Sequence, residues 1–192
     1  MLLHKTRDVG VLLGVMTLAL FPATLAAQDG GDAQANNPLA QTTSLNFQTQ
    51  YTGSITGTDG DANSVLLRYA VPFSAFGGEW ISRFTLPINT GTLPDGSSET
   101  AIGDFNFFAA YLFDTGDPAV SFGFGPSLTA PTATDDRLGS EKWSVGFANI
   151  LFNARNPKFQ WGYLLQWQTS VAGNGDRKDI NIGAFQPFGF YQ

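Results

Sequence analysis

Apolar and polar residues alternate along eight segments of this chain. These segments are 45–51, 64–71, 80–88, 104–113, 119–129, 143–152, 159–171 and 180–191. In the seventh segment, FQWGYLLQWQTSV, the aromatic residues fall on one parity and the glutamines on the other. Successive side chains of a strand point to opposite faces, so this alternation predicts strands with one apolar and one polar face. No segment after residue 43 has a helical period. We therefore predict an all-β protein.

The connections between the segments alternate in length. Short connections at 74–79, 114–118 and 153–158 are interleaved with longer polar ones at 57–63, 89–101, 130–142 and 172–179. Short turns at one end and long loops at the other are typical of outer-membrane barrels, whereas soluble sandwiches have Greek-key connections. We predict an antiparallel up-and-down transmembrane β-barrel over residues 44–192, with about eight strands visible.

The polar faces of these strands contain few charges. Glycine, serine, threonine, asparagine, glutamine and alanine predominate there, while all four tryptophans lie on the apolar parity. A soluble barrel would normally carry Lys and Glu on the face exposed to water. The pattern therefore favours an apolar face toward lipid and a polar face toward the interior. A soluble lipocalin-like binding barrel, with the aromatic face inside, is the alternative.

The first residues resemble a secretory signal peptide. Lys5 and Arg7 precede the apolar run 9–21, and PATLAA follows it. This order is that of a signal peptide, and the run is shorter than the ~20 residues that a membrane-spanning helix needs. We predict a signal peptide over residues 1–27, cleaved after Ala26 or Ala27, with a retained anchor helix as the alternative. A flexible polar leader should follow over 28–43, and the protein should reach the outer membrane of a Gram-negative-type envelope.

Composition excludes several functions. Removing the signal peptide takes away Lys5, Arg7 and Asp8, which leaves 8 basic and 15 acidic residues and a net charge of −7. Nucleic acid is therefore not an expected partner, because phosphate binding needs clustered cations. His4 is the only histidine and there is no cysteine. Histidine-assisted nucleophiles and N/S-ligated metals are thus excluded. We predict no enzyme, no cofactor and no metal site.

One loop has a weak likeness to a calcium site. Asp59, Asp61 and Asn63 alternate as at the start of a calcium-binding loop, but Ser64 and Ala70 stand where Gly and Glu are needed. A solvated hairpin tip is the favoured interpretation. The acidic pairs at 135–136 and 176–179 are interpreted as solvated loop charges or lipopolysaccharide contacts.

The second half of the chain resembles a bacterial outer-membrane family. The likeness is carried by GDFNFFAAYLF (103–113), GPSLTAPTATDDRLGSEKWSVG (125–146) and SVAGNGDRKDINIGAFQPFGFY (170–191). The family is grouped under the MetA pathway of phenol degradation and is often labelled "transporter". The resemblance implies an outer-membrane barrel linked to uptake of small hydrophobic or aromatic compounds. Members usually continue beyond the QPFGFY-like strand, so we expect a truncated chain rather than a complete eight-stranded barrel.

Several residues of the polar parity are candidates for the lumen. They are Arg68, Arg83, Asp104, Phe108, Leu164 and Gln166. The apolar ones among them argue against a water-filled porin, and the arginines would anchor solutes in a narrow channel. The alternative is a small plugged structural or adhesive barrel in which the arginines pair with Asp104. The expected partners are the lipid bilayer, lipopolysaccharide and small hydrophobic solutes.

Overall fold

The computed structural model describes residues 16–19 (main chain only), 37–52, 61–92 and 96–191. These residues form ten strands: β1 Met16–Ala19, β2 Ser44–Thr52, β3 Ala62–Ala75, β4 Gly78–Thr92, β5 Ser98–Ile102, β6 Phe105–Phe113, β7 Val120–Ala130, β8 Lys142–Asn153, β9 Phe159–Gly173 and β10 Asn181–Tyr191. The described ranges contain no helix that is long and apolar enough to cross a membrane. The prediction of an all-β protein is confirmed.

All ten strands belong to one antiparallel sheet that follows the chain order. β5 and β6 both pair with β4, β5 along residues 88–92 and β6 along residues 80–85. They act as two halves of one strand that is interrupted at Gly103 and Asp104. When β5 and β6 are counted together, β2 to β10 are eight strands, one for each segment of alternating residues.

The sheet curls so strongly that strands from opposite sides of it touch. The guanidinium of Arg83 in β4 reaches the side-chain oxygen of Gln166 in β9 at 3.5 Å. Gln166 in turn donates to the side-chain oxygen of Asn106 in β6 at 3.2 Å. The result is a half-barrel with a concave inner face. In the described part of the chain, β10 pairs with β9 only, and β2 pairs with β3 and β1.

The hairpin between β3 and β4 has the shortest connection. Its two loop residues, Phe76 and Gly77, have φ angles of 54° and 76°. Positive φ at both positions defines a type I′ turn, whose twist matches that of the flanking strands. The other short connections, after β6 and after β8, lie at the same end of the sheet. We call this end the short-turn end and the opposite one the long-loop end.

The aromatic parity lies on the convex, exposed face. The exposed large apolar residues in strands β2 to β9 are Leu45, Phe47, Tyr51, Tyr69, Phe73, Ile88, Ile102, Phe113, Phe124, Leu128, Trp143, Val145, Phe159, Trp161, Trp167 and Val171. The opposite parity supplies the buried residues, among them Ile81, Ile150 and Gln160. The strands therefore turn their aromatic face outward.

The end of the predicted leader has structure. Leu39 is only 2% exposed and packs into the core of the half-barrel. Asn37 donates a hydrogen bond to the Ser121 hydroxyl of β7 at 2.9 Å. Gly123 of β7 makes room for Leu39, because a Cβ there would lie 3.3 Å from the leucine side chain. The C-terminal end of the predicted leader therefore contacts the half-barrel through Asn37 and Leu39, and residues 28–36 lie outside the described ones.

β1 lies inside the predicted signal peptide. Its four residues pair with residues 48–51 of β2. Cleavage after residue 26 or 27 would remove β1 and leave that side of β2 unpaired. The signal peptide stays a prediction.

Candidate functional site

The concave face has an apolar layer toward the short-turn end. The layer consists of Leu39, Ile81, Phe108, Ala110, Ala148, Ile150 and Leu164. Leu164 and Ile150 face each other across the pairing of β8 and β9, near the connection that joins these strands. Strands β4, β6, β8 and β9 and the segment before β2 all contribute. This part of the interior is therefore filled by side chains.

A polar layer follows toward the long-loop end. Asn106 donates to the hydroxyl of Thr129 at 2.9 Å, and Thr129 donates to the side-chain oxygen of Gln168 at 2.8 Å. Gln168 donates to the Ser127 hydroxyl at 3.1 Å, and Gln166 joins the network through Asn106. Amides and hydroxyls both donate and accept hydrogen bonds, so these neutral side chains can pair with one another without a charged group.

Arg83 lies at the boundary between the two layers. Its guanidinium carbon is 4.4 Å from the centre of the Phe108 ring, which is a cation–π contact. The ring is held by the apolar layer, since Phe108 is buried and lies opposite Arg83 in the pairing of β4 and β6. Among the described residues, this guanidinium forms one hydrogen bond, to Gln166, which is long at 3.5 Å. The Nε atom is buried and has no partner among the described residues.

Arg68 is the neighbour of Arg83 on the same face. It lies opposite Thr85 of β4, while Arg83 lies opposite Ala70 of β3, so the two arginines are diagonal neighbours on adjacent strands. The Nη1 atom of Arg68 donates to the side-chain oxygen of Gln48, which is itself buried. Within the described part of the chain, the Arg68 Nε and the Thr85 hydroxyl are buried without a partner.

Asp104 is bound to a loop rather than to these arginines. Its carboxylate accepts hydrogen bonds from the Ala133 and Ser140 backbone amides at 3.1 and 2.7 Å. The Ser140 hydroxyl donates to it at 2.5 Å. Asp104 interrupts the strand between β5 and β6 and fastens the 131–141 loop at that point. Among the described residues, Asp104 therefore forms no ion pair with Arg68 or Arg83.

Two long loops are clamped together at this end. Arg177 donates to the backbone oxygen of Gly139 at 2.7 Å and forms an ion pair with Glu141 at 3.1 Å. Lys142 forms an ion pair with Asp179 at 3.2 Å. Asp179 has a lowered pKa because Lys142 donates a hydrogen bond to its carboxylate. The loop charges thus pair with each other across the 131–141 and 174–180 loops.

Two clefts open on the inner side of the sheet. The larger, of about 510 Å³, lies between residues 37–41 and the β6–β7 connection. The smaller, of about 130 Å³, is lined by Asn106, Gln166, Gln168, Ile182 and Ala184. It adjoins the polar layer through Gln166, the residue that also binds Arg83.

The described residues contain no cluster of three or more carboxylate, histidine or cysteine side chains suited to a metal. In the calcium-like loop, Asp61 accepts hydrogen bonds from the hydroxyls of Tyr51 at 3.1 Å and Thr92 at 2.7 Å. Asp59 lies outside the described residues. These bonds tie β2, β3 and β4 together at the long-loop end.

The six predicted lumen residues therefore have different environments. Phe108 and Leu164 belong to the apolar layer, and Gln166 belongs to the polar one. Arg68 and Arg83 lie side by side, while Asp104 holds a loop. Sequence reasoning missed Leu39 and Gln48. Parity places Gln48 on the polar face, whereas no periodic signal identifies Leu39.

The concave face carries groups that can bind a small ligand. The polar layer supplies amides and hydroxyls, and Arg83 at its boundary contacts the Phe108 ring, with Arg68 as its diagonal neighbour. No family model, curated protein or solved structure matches this chain. The resemblance to the phenol-degradation family therefore stays a prediction from the sequence.

Proposed function

We propose that this protein is an outer-membrane β-barrel and a channel or transporter for small hydrophobic or aromatic compounds, without enzymatic activity. The observation that carries the proposal is the exposed aromatic face described above. Monomeric soluble proteins rarely expose contiguous apolar patches of more than a few hundred Å². A bilayer would cover this face, and a polar interior with an apolar exterior is the arrangement of membrane barrels.

The strands are long enough for this role. A transmembrane strand needs ~9–11 residues when tilted by about 45°. β2 and β6 have 9 residues, and the longest strands, β4 and β9, have 15. Each of the eight strands could therefore cross the hydrocarbon core.

Aromatic rings near the short-turn end support the same proposal. Phe73 stacks on Trp80 with ring centres 6.1 Å apart, and Trp80 meets Tyr111 edge-on at 5.4 Å. Phe113 continues the row, 4.9 Å from Tyr111 and 5.6 Å from Phe122. A row of rings across four strands is what an interfacial aromatic girdle requires. It would place the short-turn end at the periplasmic side.

A second candidate is a plugged structural or adhesive barrel without transport. The apolar layer favours it, because Leu39, Phe108 and Leu164 fill the interior toward the short-turn end. The polar layer and the open 130 Å³ cleft favour a solute path. Residues 37–43 distinguish the candidates: a displaceable segment permits transport, and a fixed one blocks it.

Three measurements test the proposal. The folded protein should migrate faster than the heated protein on a detergent gel and should float with liposomes. Liposomes that contain it should then take up phenol faster than protein-free ones. No gel shift and no flotation would refute the membrane barrel. Insertion without phenol permeation would leave the plugged barrel as the function.

A further inference from the structure

We propose that the concave face binds a small organic carboxylate between Arg68 and Arg83. This inference rests on the proposed function, because the site lies on the suggested solute path. The first observation concerns charge. Every other arginine in the described residues forms an ion pair: Arg137 with Asp135 and Glu99, Arg155 with Asp117, and Arg177 with Glu141. Within the same residues, Arg68 and Arg83 have no carboxylate partner.

The second observation concerns unused donors. Each guanidinium has several N–H groups. Within the described ranges, Arg68 donates only to the side-chain oxygen of Gln48, and Arg83 only to that of Gln166. The 3.5 Å bond of Arg83 is at the limit of a hydrogen bond. With so few acceptors, the cost of removing a half-buried cation from water is poorly compensated. A carboxylate could replace the amide oxygens as a stronger, charged acceptor.

The third observation concerns placement. Diagonal neighbours on adjacent strands have their Cα atoms roughly 7–8 Å apart, so Arg68 and Arg83 can reach one ligand. Thr85 lies on the same face opposite Arg68, and its hydroxyl has no partner among the described residues. Planar guanidinium groups match carboxylates in a paired, two-bond geometry. These groups therefore form a recognition site for one carboxylate.

The surroundings indicate an organic rather than an inorganic anion. The Phe108 ring lies against Arg83, and the apolar layer lies behind it. The cleft of about 130 Å³ beside Gln166 has apolar walls at Ile182 and Ala184. A cavity of about 150 Å³ is large enough for benzene. A ligand with one carboxylate and one small apolar body fits this combination.

Calorimetric titration of the full-length protein in detergent tests the site. Benzoate should bind about tenfold or more tightly than benzamide, its neutral analogue of similar shape, because charged hydrogen bonds to both arginines are lost with the amide. Arg83→Gln and Arg68→Gln should each reduce benzoate affinity by about tenfold or more. The control Arg155→Gln removes an equal charge near the short-turn end and should leave benzoate binding unchanged.

Equal binding of benzoate and benzamide by the unmodified protein would overturn the proposal, and that comparison needs no variant. Chloride or inorganic phosphate binding as tightly as benzoate would overturn the assignment to an organic anion. If Arg83→Gln does not fold, as judged by the gel shift, Arg83→Lys should fold and bind benzoate more weakly. Uptake of phenol by liposomes is a separate readout. Phenol uptake without benzoate preference refutes this site alone, and benzoate preference without uptake refutes the transport function alone.

Discussion

Charged residues in the long loops are stabilised by local partners. The guanidinium and the backbone amide of Arg137 both donate to the Asp135 carboxylate, at 2.6–3.0 Å. These hydrogen bonds favour the ionised form and lower the pKa of Asp135 to about 2. Because the pKa of Asp135 is lowered in the folded loop, this contact stabilises the loop fully at pH values above 3.8, the ordinary pKa of the group. The stabilisation is lost as the pH falls toward 2.

We predict that Arg137→Gln raises the pKa of Asp135 toward 3.8, because the side-chain hydrogen bonds are its main cause. Carboxyl chemical shifts followed by NMR during an acid titration would measure it. Arg155→Gln is the matched control. It should leave Asp135 unchanged and instead raise the pKa of Asp117, which accepts hydrogen bonds from Ala119 and Arg155. An unaltered Asp135 titration in Arg137→Gln would contradict the prediction.

Gly146 is one of the glycines that allow β8 and β9 to approach closely. A Cβ on Gly146 would lie 1.7 Å from the backbone oxygen of Trp167. Main-chain atoms of a paired strand cannot move aside, so any side chain here must distort the ladder.

Gly146→Ala should lower the free energy of unfolding by ~1–3 kcal/mol, the usual cost of overpacking. Gly175→Ala is the control, because a Cβ there meets nothing within 4 Å. Urea unfolding in lipid vesicles would compare the two. Equal stability of both variants would show that the strands adjust without cost.

At the level of elements, the segment before β2 packs inside the half-barrel. Leu39 joins residues of β4, β6, β8 and β9, and Asn37 binds Ser121 of β7. The backbone amide of Leu39 also donates to the Asn37 side chain at 2.9 Å, which holds the segment in a tight turn. The segment therefore stabilises the half-barrel and narrows it at the short-turn end.

We predict that Leu39→Ala lowers the free energy of unfolding by ~2–5 kcal/mol, as for other buried leucines. It should also speed solute uptake by liposomes, because the apolar layer loses part of its filling. Leu45→Ala is the control, since Leu45 is 50% exposed on the outer face. The predicted packing would be wrong if the two variants lost equal stability.

For the whole molecule, the main question is whether the exposed face of the sheet contacts water or lipid. The exposed face carries the aromatic rings, and the concave face carries the amides, hydroxyls and arginines. In water, an arginine added to an exposed position changes stability by only about 0.5 kcal/mol. In a bilayer, the cost depends on depth and is largest at the midplane.

We predict that Leu165→Arg, at the middle of β9, costs ~2–4 kcal/mol in lipid vesicles, and that Val171→Arg, near its end, costs ~0–1 kcal/mol. Both residues lie on the outer parity of the same strand. Reversible unfolding from vesicles would measure both values. Equal, small costs would instead indicate that this face is in water.

Much of this architecture could be predicted from the sequence. The period of two locates the eight strands because the pleat fixes the direction of each side chain. The turn at Phe76 and Gly77 is expected from the short connection around it. The sequence predicts residues 89–101 as a long polar connection and 104–113 as the next strand. The structure instead pairs residues 98–102 with β4 as β5, and the break comes at Asp104, where loop amides bind the carboxylate.

The amino-acid sequence alone was enough to predict the strands and their two-faced character, and it contains no cysteine and a single histidine, His4. These are local properties, set by side-chain identity and the pleat. Three contacts required the folded sheet: Leu39 fills the interior, Asp104 binds a loop, and Arg83 lies against Phe108. Among the described residues, neither Arg83 nor its neighbour Arg68 has a carboxylate partner. Those contacts join residues far apart in the chain, and their positions depend on how the whole sheet curls.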